Sequence, residues 1–111
     1  MTARKLIAAA AAAGVLAAAT MPAADAAPKG KTVAIQDNRF APAALTVAKG
    51  ATVRWVWRGK AAHNVHVDRG PARFTSPNKV SGSWSRKLTR TGRYALVCTI
   101  HPGMKMSLTV K

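Results

Sequence analysis

The stretch Thr52–Arg58, which has the sequence TVRWVWR, decides the fold class of this chain of 111 residues. Val53, Trp55 and Trp57 recur at every second position, and arginine occupies positions on the other side. Side chains alternate between the two faces of a β-strand, so this pattern predicts a strand with one buried face. We assign both tryptophans to the core, because large aromatic side chains supply much of the buried area of a small domain.

The chain after residue 30 repeats this alternation in short segments separated by glycine, proline and asparagine. Further strands are predicted at Lys31–Asp37, Leu45–Lys49, His63–Val67, Trp84–Leu88, Arg93–Cys98 and Met106–Val110. Asn38–Pro42 is predicted to form a turn or loop, and no segment of this part shows a helical period of useful length. Several short strands divided by turn residues predict an all-β sandwich or barrel.

The first 26 residues have the three-part layout of a cleavable signal peptide. Met1–Lys5 carries two basic residues, Leu6–Thr20 is small and apolar, and Ala24–Ala26 is an A-x-A cleavage site. The apolar run is too short and too rich in alanine for a convincing membrane span, which needs about 20 strongly apolar residues. We therefore predict a signal peptide at 1–26, a linker at 27–30 and one domain at 31–111. The processed protein is expected in a periplasm, at a cell envelope or outside the cell, with no membrane span.

The chain is strongly basic, with 18 Lys and Arg residues against 3 Asp and Glu residues. Such a charge favours anionic partners, such as proteins with an acidic docking surface or anionic polymers of the cell envelope. The same charge also serves solubility, so this alternative stays open. No basic run is interleaved with exposed aromatic residues, so nucleic acid is not favoured as a partner.

Potential metal ligands are concentrated in Cys98–Met106, which has the sequence CTIHPGMKM. It contains the single cysteine of the chain, one of its three histidines and two of its four methionines. A lone cysteine in an exported protein cannot form an internal disulfide. Thiolate, imidazole and thioether donors together suit a soft redox-active metal, and copper in particular.

A remote donor is expected from His63, which is predicted to begin a strand after a glycine-containing loop. Loops from distant strands meet at one end of an antiparallel sandwich, so His63 can approach Cys98 and His101 there. Two imidazoles and a thiolate in one plane, with a weak axial methionine, make a blue-copper electron-transfer site. His66 falls on the opposite face from His63 and is interpreted as an ordinary polar strand residue.

The order and spacing of several motifs resemble the cupredoxins, and among them the plastocyanin/amicyanin group. The motifs are Phe40-x-Pro42-x-x-Leu45-x-Val47-x-x-Gly50-x-x-Val53-x-Trp55, His63-Asn64-Val65 and Gly92-x-Tyr94-x-x-x-Cys98-x-x-His101-Pro102-x-Met104. The resemblance implies a Greek-key β-sandwich that binds one type 1 copper ion. It implies the ligands His63, Cys98, His101 and Met104. It also suggests that Asn64 braces the Cys98 loop by hydrogen bonding near Thr99.

Two spacings between the second histidine and the axial methionine occur in the group. A short spacing after His101 selects Met104, and a longer one selects Met106. We favour Met104, because Met106 already continues the apolar alternation of Leu108 and Val110.

The resulting functional hypothesis is an exported, monomeric electron carrier that cycles copper between Cu(II) and Cu(I) and meets redox partner proteins. His101 is predicted to be the electron exit, surrounded by an apolar patch of Pro102, Gly103, Phe40 and Pro42. The alternative is a copper-binding or copper-delivery protein without a redox role. We predict that the protein is not an enzyme, because a Cys98–His101 nucleophile pair lacks an oxyanion-hole motif and gives the methionines no use.

Overall fold

The computed structural model describes residues 30–111, so the predicted signal peptide and residues 27–29 of the predicted linker lie outside the described residues. This part of the chain contains eight β-strands and no helix. The strands are β1 (Lys31–Gln36), β2 (Arg39–Ala41), β3 (Ala44–Val47), β4 (Thr52–Trp57), β5 (His66–Arg69), β6 (Gly82–Lys87), β7 (Gly92–Val97) and β8 (Lys105–Val110). Consequently, no helix among residues 30–111 is long and apolar enough to cross a membrane.

The strands form two four-stranded mixed sheets, which confirms the predicted all-β class. One sheet has the order β2–β1–β4–β6 and the other has the order β3–β8–β7–β5. Strand β1 runs parallel to β4, and β3 runs parallel to β8, whereas the other neighbours are antiparallel. The inward-facing residues of the two sheets form a single core.

The alternating residues of β4 lie in that core, as predicted. Val53 and Trp55 are fully buried, and Trp57 is 6% exposed. The Trp55 ring lies 5.7 Å from the Trp84 ring and 6.2 Å from the Phe74 ring, measured between centroids. These tilted contacts have the spacing that aromatic pairs prefer, so the cluster contributes both area and specific packing.

The prediction of a turn or loop at Asn38–Pro42 was wrong in part, because Arg39–Ala41 forms the short edge strand β2. It pairs antiparallel with β1 through Gln36–Arg39, Ile35–Phe40 and Ala34–Ala41. Asn38 has a φ of 74° and lies in the tight turn between the two strands. Asparagine tolerates this left-handed conformation better than most residues. A three-residue strand is too short to show a period in the sequence.

The predicted strand at His63–Val67 begins only at His66. Upstream of it, the N–H of Val65 donates to Ser76 Oγ at 2.8 Å, and the N–H of Ser76 donates to the Val65 carbonyl at 2.8 Å. His63 forms an isolated bridge with Lys79. The backbone of this segment is thus satisfied by a neighbouring loop instead of a sheet ladder, which alternation alone could not reveal.

Candidate metal centre

The loop between β7 and β8 is closed by its own backbone. The N–H of Cys98 donates to the Met104 carbonyl at 3.0 Å, and the N–H of Met104 donates to the His101 carbonyl at 3.2 Å. Gly103 has a φ of +87°, a conformation that favours glycine, and it allows the reversal after Pro102. This short turn holds the Cys98 and His101 side chains at the same end of the sandwich.

His63 is fixed from another part of the chain. Its backbone N–H and carbonyl each bond to Lys79 at 3.0 Å, and the Trp57 indole N–H also donates to the His63 carbonyl at 3.0 Å. The side chain is 1% exposed. A buried imidazole needs partners for both ring nitrogens, so what each nitrogen faces indicates its role.

Three donor atoms converge at this end of the molecule. Cys98 Sγ lies 3.8 Å from His63 Nδ1 and 3.7 Å from His101 Nδ1, and all three atoms lie within 4.8 Å of one another. With metal–nitrogen bonds of about 2.0 Å and metal–sulfur bonds of about 2.3 Å, donors 120° apart are separated by about 3.7 Å. The observed separations therefore fit a trigonal N₂S site for one ion.

Asn64 braces the cysteine loop, as the resemblance suggested. Its Nδ2 donates to Thr99 Oγ1 at 2.9 Å, and its Oδ1 accepts from the Thr99 N–H at 2.8 Å. This pair ties the residue after His63 to the residue after Cys98. The relative position of the two donors is thus set by direct hydrogen bonds.

Asp37 is part of the centre and was missed by the sequence analysis. Its Oδ1 lies 3.1 Å from His63 Nε2, on the side of the ring away from Cys98. The Asp37 carboxylate also accepts from the N–H groups of Ala61 at 3.0 Å and Lys60 at 3.0 and 3.1 Å. The Ala61 hydrogen bond, followed by those from His63 and Lys60, lowers the pKa of Asp37 to about 2. The available signal was the scarcity of acidic residues in so basic a chain.

The two methionines occupy different places. Met104 is 2% exposed and lies opposite Cys98, next to the pair of Val97 with Lys105 at the end of the β7–β8 ladder. Met106 is 4% exposed and lies opposite Leu96, inside the ladder. Residues directly opposite in an antiparallel pair project to the same face. Met104 and Met106 therefore share one face: Met104 lies at the end of the ladder beside Cys98, and Met106 lies two positions further into the sheet beside Leu96.

The third histidine of the chain lies outside this cluster. His66 Nδ1 is 2.8 Å from Thr75 Oγ1, and the ring is partly exposed on β5. His66 is thus a polar strand residue, as the alternation predicted.

The surface around the centre differs in one respect from the expectation. His101 is partly exposed, Pro102 and Gly103 are exposed, and Ile100 is 42% exposed. Phe40 is only 2% exposed, because β2 turns its side chain into the core, so its assignment to the apolar patch was wrong. We use the term "copper-end patch" below for Ile100, Pro102 and Gly103.

Comparison with known proteins identifies the group to which this site belongs. Residues 29–111 match the family model of copper binding proteins of the plastocyanin/azurin family. The chain belongs to this family. This cupredoxin is 31% identical over 101 residues to amicyanin-alpha of Methylorubrum extorquens, covering 86% of this chain and 85% of the relative. Copper is accordingly the metal of the centre, in agreement with its nitrogen and sulfur donors.

Solved structures give the same assignment. An amicyanin variant in its reduced Cu(I) form at pH 4 superposes with a TM-score of 0.67 at 32% identity, covering 82% of this chain and 90% of that one. A copper-containing nitrite reductase from Thermus scotoductus has a TM-score of 0.64 at 29% identity over 72% of this chain. This cupredoxin covers only 22% of the reductase chain, so it matches a fraction of that enzyme.

Proposed function

We propose that this cupredoxin is an exported electron carrier that holds one type 1 copper ion through His63, Cys98, His101 and Met104. The observation that carries the proposal is the convergence of Cys98 Sγ with the Nδ1 atoms of His63 and His101. Copper in such a site supplies a one-electron Cu(II)/Cu(I) couple. Met104 is the proposed axial ligand, since it lies directly opposite Cys98 and is buried.

The protein's own contribution is to keep these donors in place in both oxidation states. Cys98 is tied to Met104 through the backbone, and Asn64 ties the His63 segment to Thr99. An electron carrier needs a site that rearranges little, because every rearrangement adds to the barrier for transfer. The donor positions here are set by hydrogen bonds that do not depend on the metal.

Electrons are proposed to leave through His101, the partly exposed ligand. The copper-end patch surrounds it with apolar surface on which a redox partner can dock. The chain carries 18 basic and 3 acidic residues, so the partner is proposed to have an acidic surface. Anionic polymers of the cell envelope are a second class of proposed partner. The protein is proposed to act as a monomer.

Export is proposed from the N-terminal sequence. The basic start, the apolar run and the A-x-A site support cleavage after Ala26. The linker is then 27–30 and the copper domain 31–111, which is close to the span of the family match. The site of action is a periplasm, a cell envelope or the exterior.

The test is the absorption and EPR spectrum of the purified protein after Cu(II) is added. We expect an intense thiolate-to-copper band that is lost in Cys98→Ala and in His63→Ala and is kept in His66→Ala, the matched histidine control. Absence of the band from the unsubstituted protein, or its survival in Cys98→Ala, would contradict the proposal. Reversible reduction with copper retained supports a carrier, whereas release of copper on reduction supports copper delivery.

A further inference from the structure

The hydrogen bond between Asp37 and His63 has a defined donor and a defined acceptor. The Asp37 carboxylate accepts hydrogen bonds from the backbone N–H groups of Lys60 and Ala61, and an ionised carboxylate can only accept hydrogen bonds. At 3.1 Å, Asp37 Oδ1 therefore accepts from His63 Nε2–H. The proton of a neutral ring then resides on Nε2, and the Nδ1 lone pair that faces Cys98 Sγ is free for a metal.

The position of the carboxylate is built into two loops. Asp37 follows the last residue of β1, and its oxygens accept from the N–H groups of Lys60 and Ala61, which precede His63 in the chain. The Asp37 carboxylate packs so closely against Gly59 that a Cβ at this position would overlap Oδ1. Asp37 is thus held on the backbone of the loop whose end carries His63.

Acidic side chains are scarce in the part of the chain that the structure describes. Among residues 30–111, the only other acidic side chain is Asp68, which is exposed on β5 in the other sheet. A carboxylate that accepts a hydrogen bond from a metal-bound imidazole raises the basicity of that ligand. A fixed negative charge near a metal also stabilises the more positive oxidation state more than the less positive one.

We propose that Asp37 is a positioning residue that fixes the His63 ring with Nε2 protonated and Nδ1 aimed at the metal, and that its negative charge favours Cu(II) over Cu(I). The inference rests on the proposed function, because it requires copper at the His63–Cys98–His101 cluster. It assigns two separable effects to one side chain. The acceptor oxygen of Asp37 sets the orientation of the His63 ring, and the negative charge of Asp37 sets the preference for Cu(II) over Cu(I).

Two substitutions separate these effects, with a third as control. Asp37→Asn keeps an acceptor oxygen for His63 Nε2 and the loop N–H groups but removes the charge. Asp37→Ala removes both. Asp68→Asn makes the same charge change in the other sheet and is the matched control. The three variants and the unsubstituted protein are compared by reduction potential in the copper form and by ¹⁵N NMR of the His63 ring in the metal-free form.

Loss of an outer partner of a metal ligand typically lowers metal affinity about 10–100-fold. For Asp37→Asn we expect Cu(II) affinity to fall about tenfold relative to Cu(I), which raises a one-electron potential by about 59 mV. The His63 tautomer should be retained in Asp37→Asn and become mixed in Asp37→Ala. Asp68→Asn should leave both the potential and the tautomer unchanged.

The outcomes are distinct from those that test copper binding itself. If the unsubstituted protein lacks the thiolate-to-copper band, the proposed function fails. In that case an Nε2-protonated His63 that depends on Asp37 still supports the positioning role in the metal-free protein. If the band is present but both Asp37 variants keep the original potential and tautomer, the role assigned to Asp37 is overturned. An equal change in potential in Asp68→Asn would likewise overturn it, because the effect would then be a general one of charge.

Discussion

Cys98 and Met104 face each other across the end of the β7–β8 ladder, with the Cys98 N–H donating to the Met104 carbonyl at 3.0 Å. The next residues on the strand side, Val97 and Lys105, form the last regular pair. Cys98 and Met104 thus form one antiparallel pair at the end of the ladder. This relation distinguishes Met104 from Met106, which faces Leu96 two positions further into the sheet.

The first prediction compares Met104→Leu with Met106→Leu, two substitutions that nearly conserve volume. Met104→Leu should change both the copper spectrum and the reduction potential, because it removes the proposed axial sulfur. Met106→Leu should leave both unchanged and cost less than about 1.5 kcal/mol in unfolding free energy, as conservative core swaps usually do. Spectra, voltammetry and urea unfolding of the two variants provide the measurement. The opposite pattern would assign the axial position to Met106.

The second prediction concerns the brace between Asn64 and Thr99. Asn64→Ala removes both hydrogen bonds between these residues, whereas Thr99→Ala removes only the one to Oγ1. A typical hydrogen bond contributes about 0.5–1.5 kcal/mol to the unfolding free energy, and Asn64→Ala removes two of them. We expect Asn64→Ala to lower the unfolding free energy of the metal-free protein by about 1–3 kcal/mol.

Thr99→Ala is the matched control for that brace, and its effect should be smaller. The copper band of Asn64→Ala should also broaden or shift, because Cys98 is no longer tied to the His63 segment. Chemical denaturation and absorption spectra measure the two effects. Equal effects of the two substitutions would indicate that the Thr99 N–H bond to Asn64 Oδ1 contributes nothing.

The sandwich could be predicted because its signal is local. Val53, Trp55 and Trp57 alternate within one strand, and burial of one sheet face requires that period. The short strand β2 could not, since three residues carry no period. The backbone of the His63–Val65 segment bonds to a loop that is distant in sequence, so its departure from strand geometry was equally invisible.

The cluster of His63, Cys98 and His101 could be predicted because these residue types are rare in the chain and chemically specific. The chain has one cysteine and three histidines, so few ligand sets with the order His63, Cys98 and His101 can be assembled. Asp37 was missed for the opposite reason. An aspartate after a strand is an ordinary turn residue, and its role depends on the packing that brings it against His63 and Gly59.

The third prediction uses small redox reagents to test the effect of the basic charge on electron transfer. Oxidation of the reduced protein by hexacyanoferrate(III), an anion, should slow as ionic strength rises from 0.01 to 0.15 M. Over that range the Debye length falls from about 30 Å to about 8 Å, and attraction to the excess of basic residues is screened. A cationic cobalt(III) complex should show the reverse trend. Stopped-flow kinetics measures how the rate constant for each reagent depends on ionic strength. The same dependence for both reagents would contradict electrostatic steering by the basic surface.

The last prediction concerns Tyr94, the single tyrosine of the chain, which is 2% exposed. Its hydroxyl donates to the Arg90 carbonyl at 2.7 Å, so Tyr94→Phe should lower the unfolding free energy by about 0.5–1.5 kcal/mol near neutral pH. Burial raises the pKa of Tyr94 above its ordinary value of about 10, although Arg90 and Arg86 oppose the shift. The unfolded chain therefore loses this proton first as pH rises. The contribution of Tyr94 to stability is complete below about pH 10 and decreases above it.

Urea unfolding of both proteins at neutral pH and above pH 10 measures this dependence. The advantage of the unsubstituted protein over Tyr94→Phe should shrink in the alkaline samples. Phenolate absorbance of the folded protein should rise only above the ordinary pKa. Because lysine deprotonation affects both proteins equally, only the difference between them reports on Tyr94. A difference that stays constant across the pH range, or a phenolate that titrates at the ordinary pKa, would contradict the prediction.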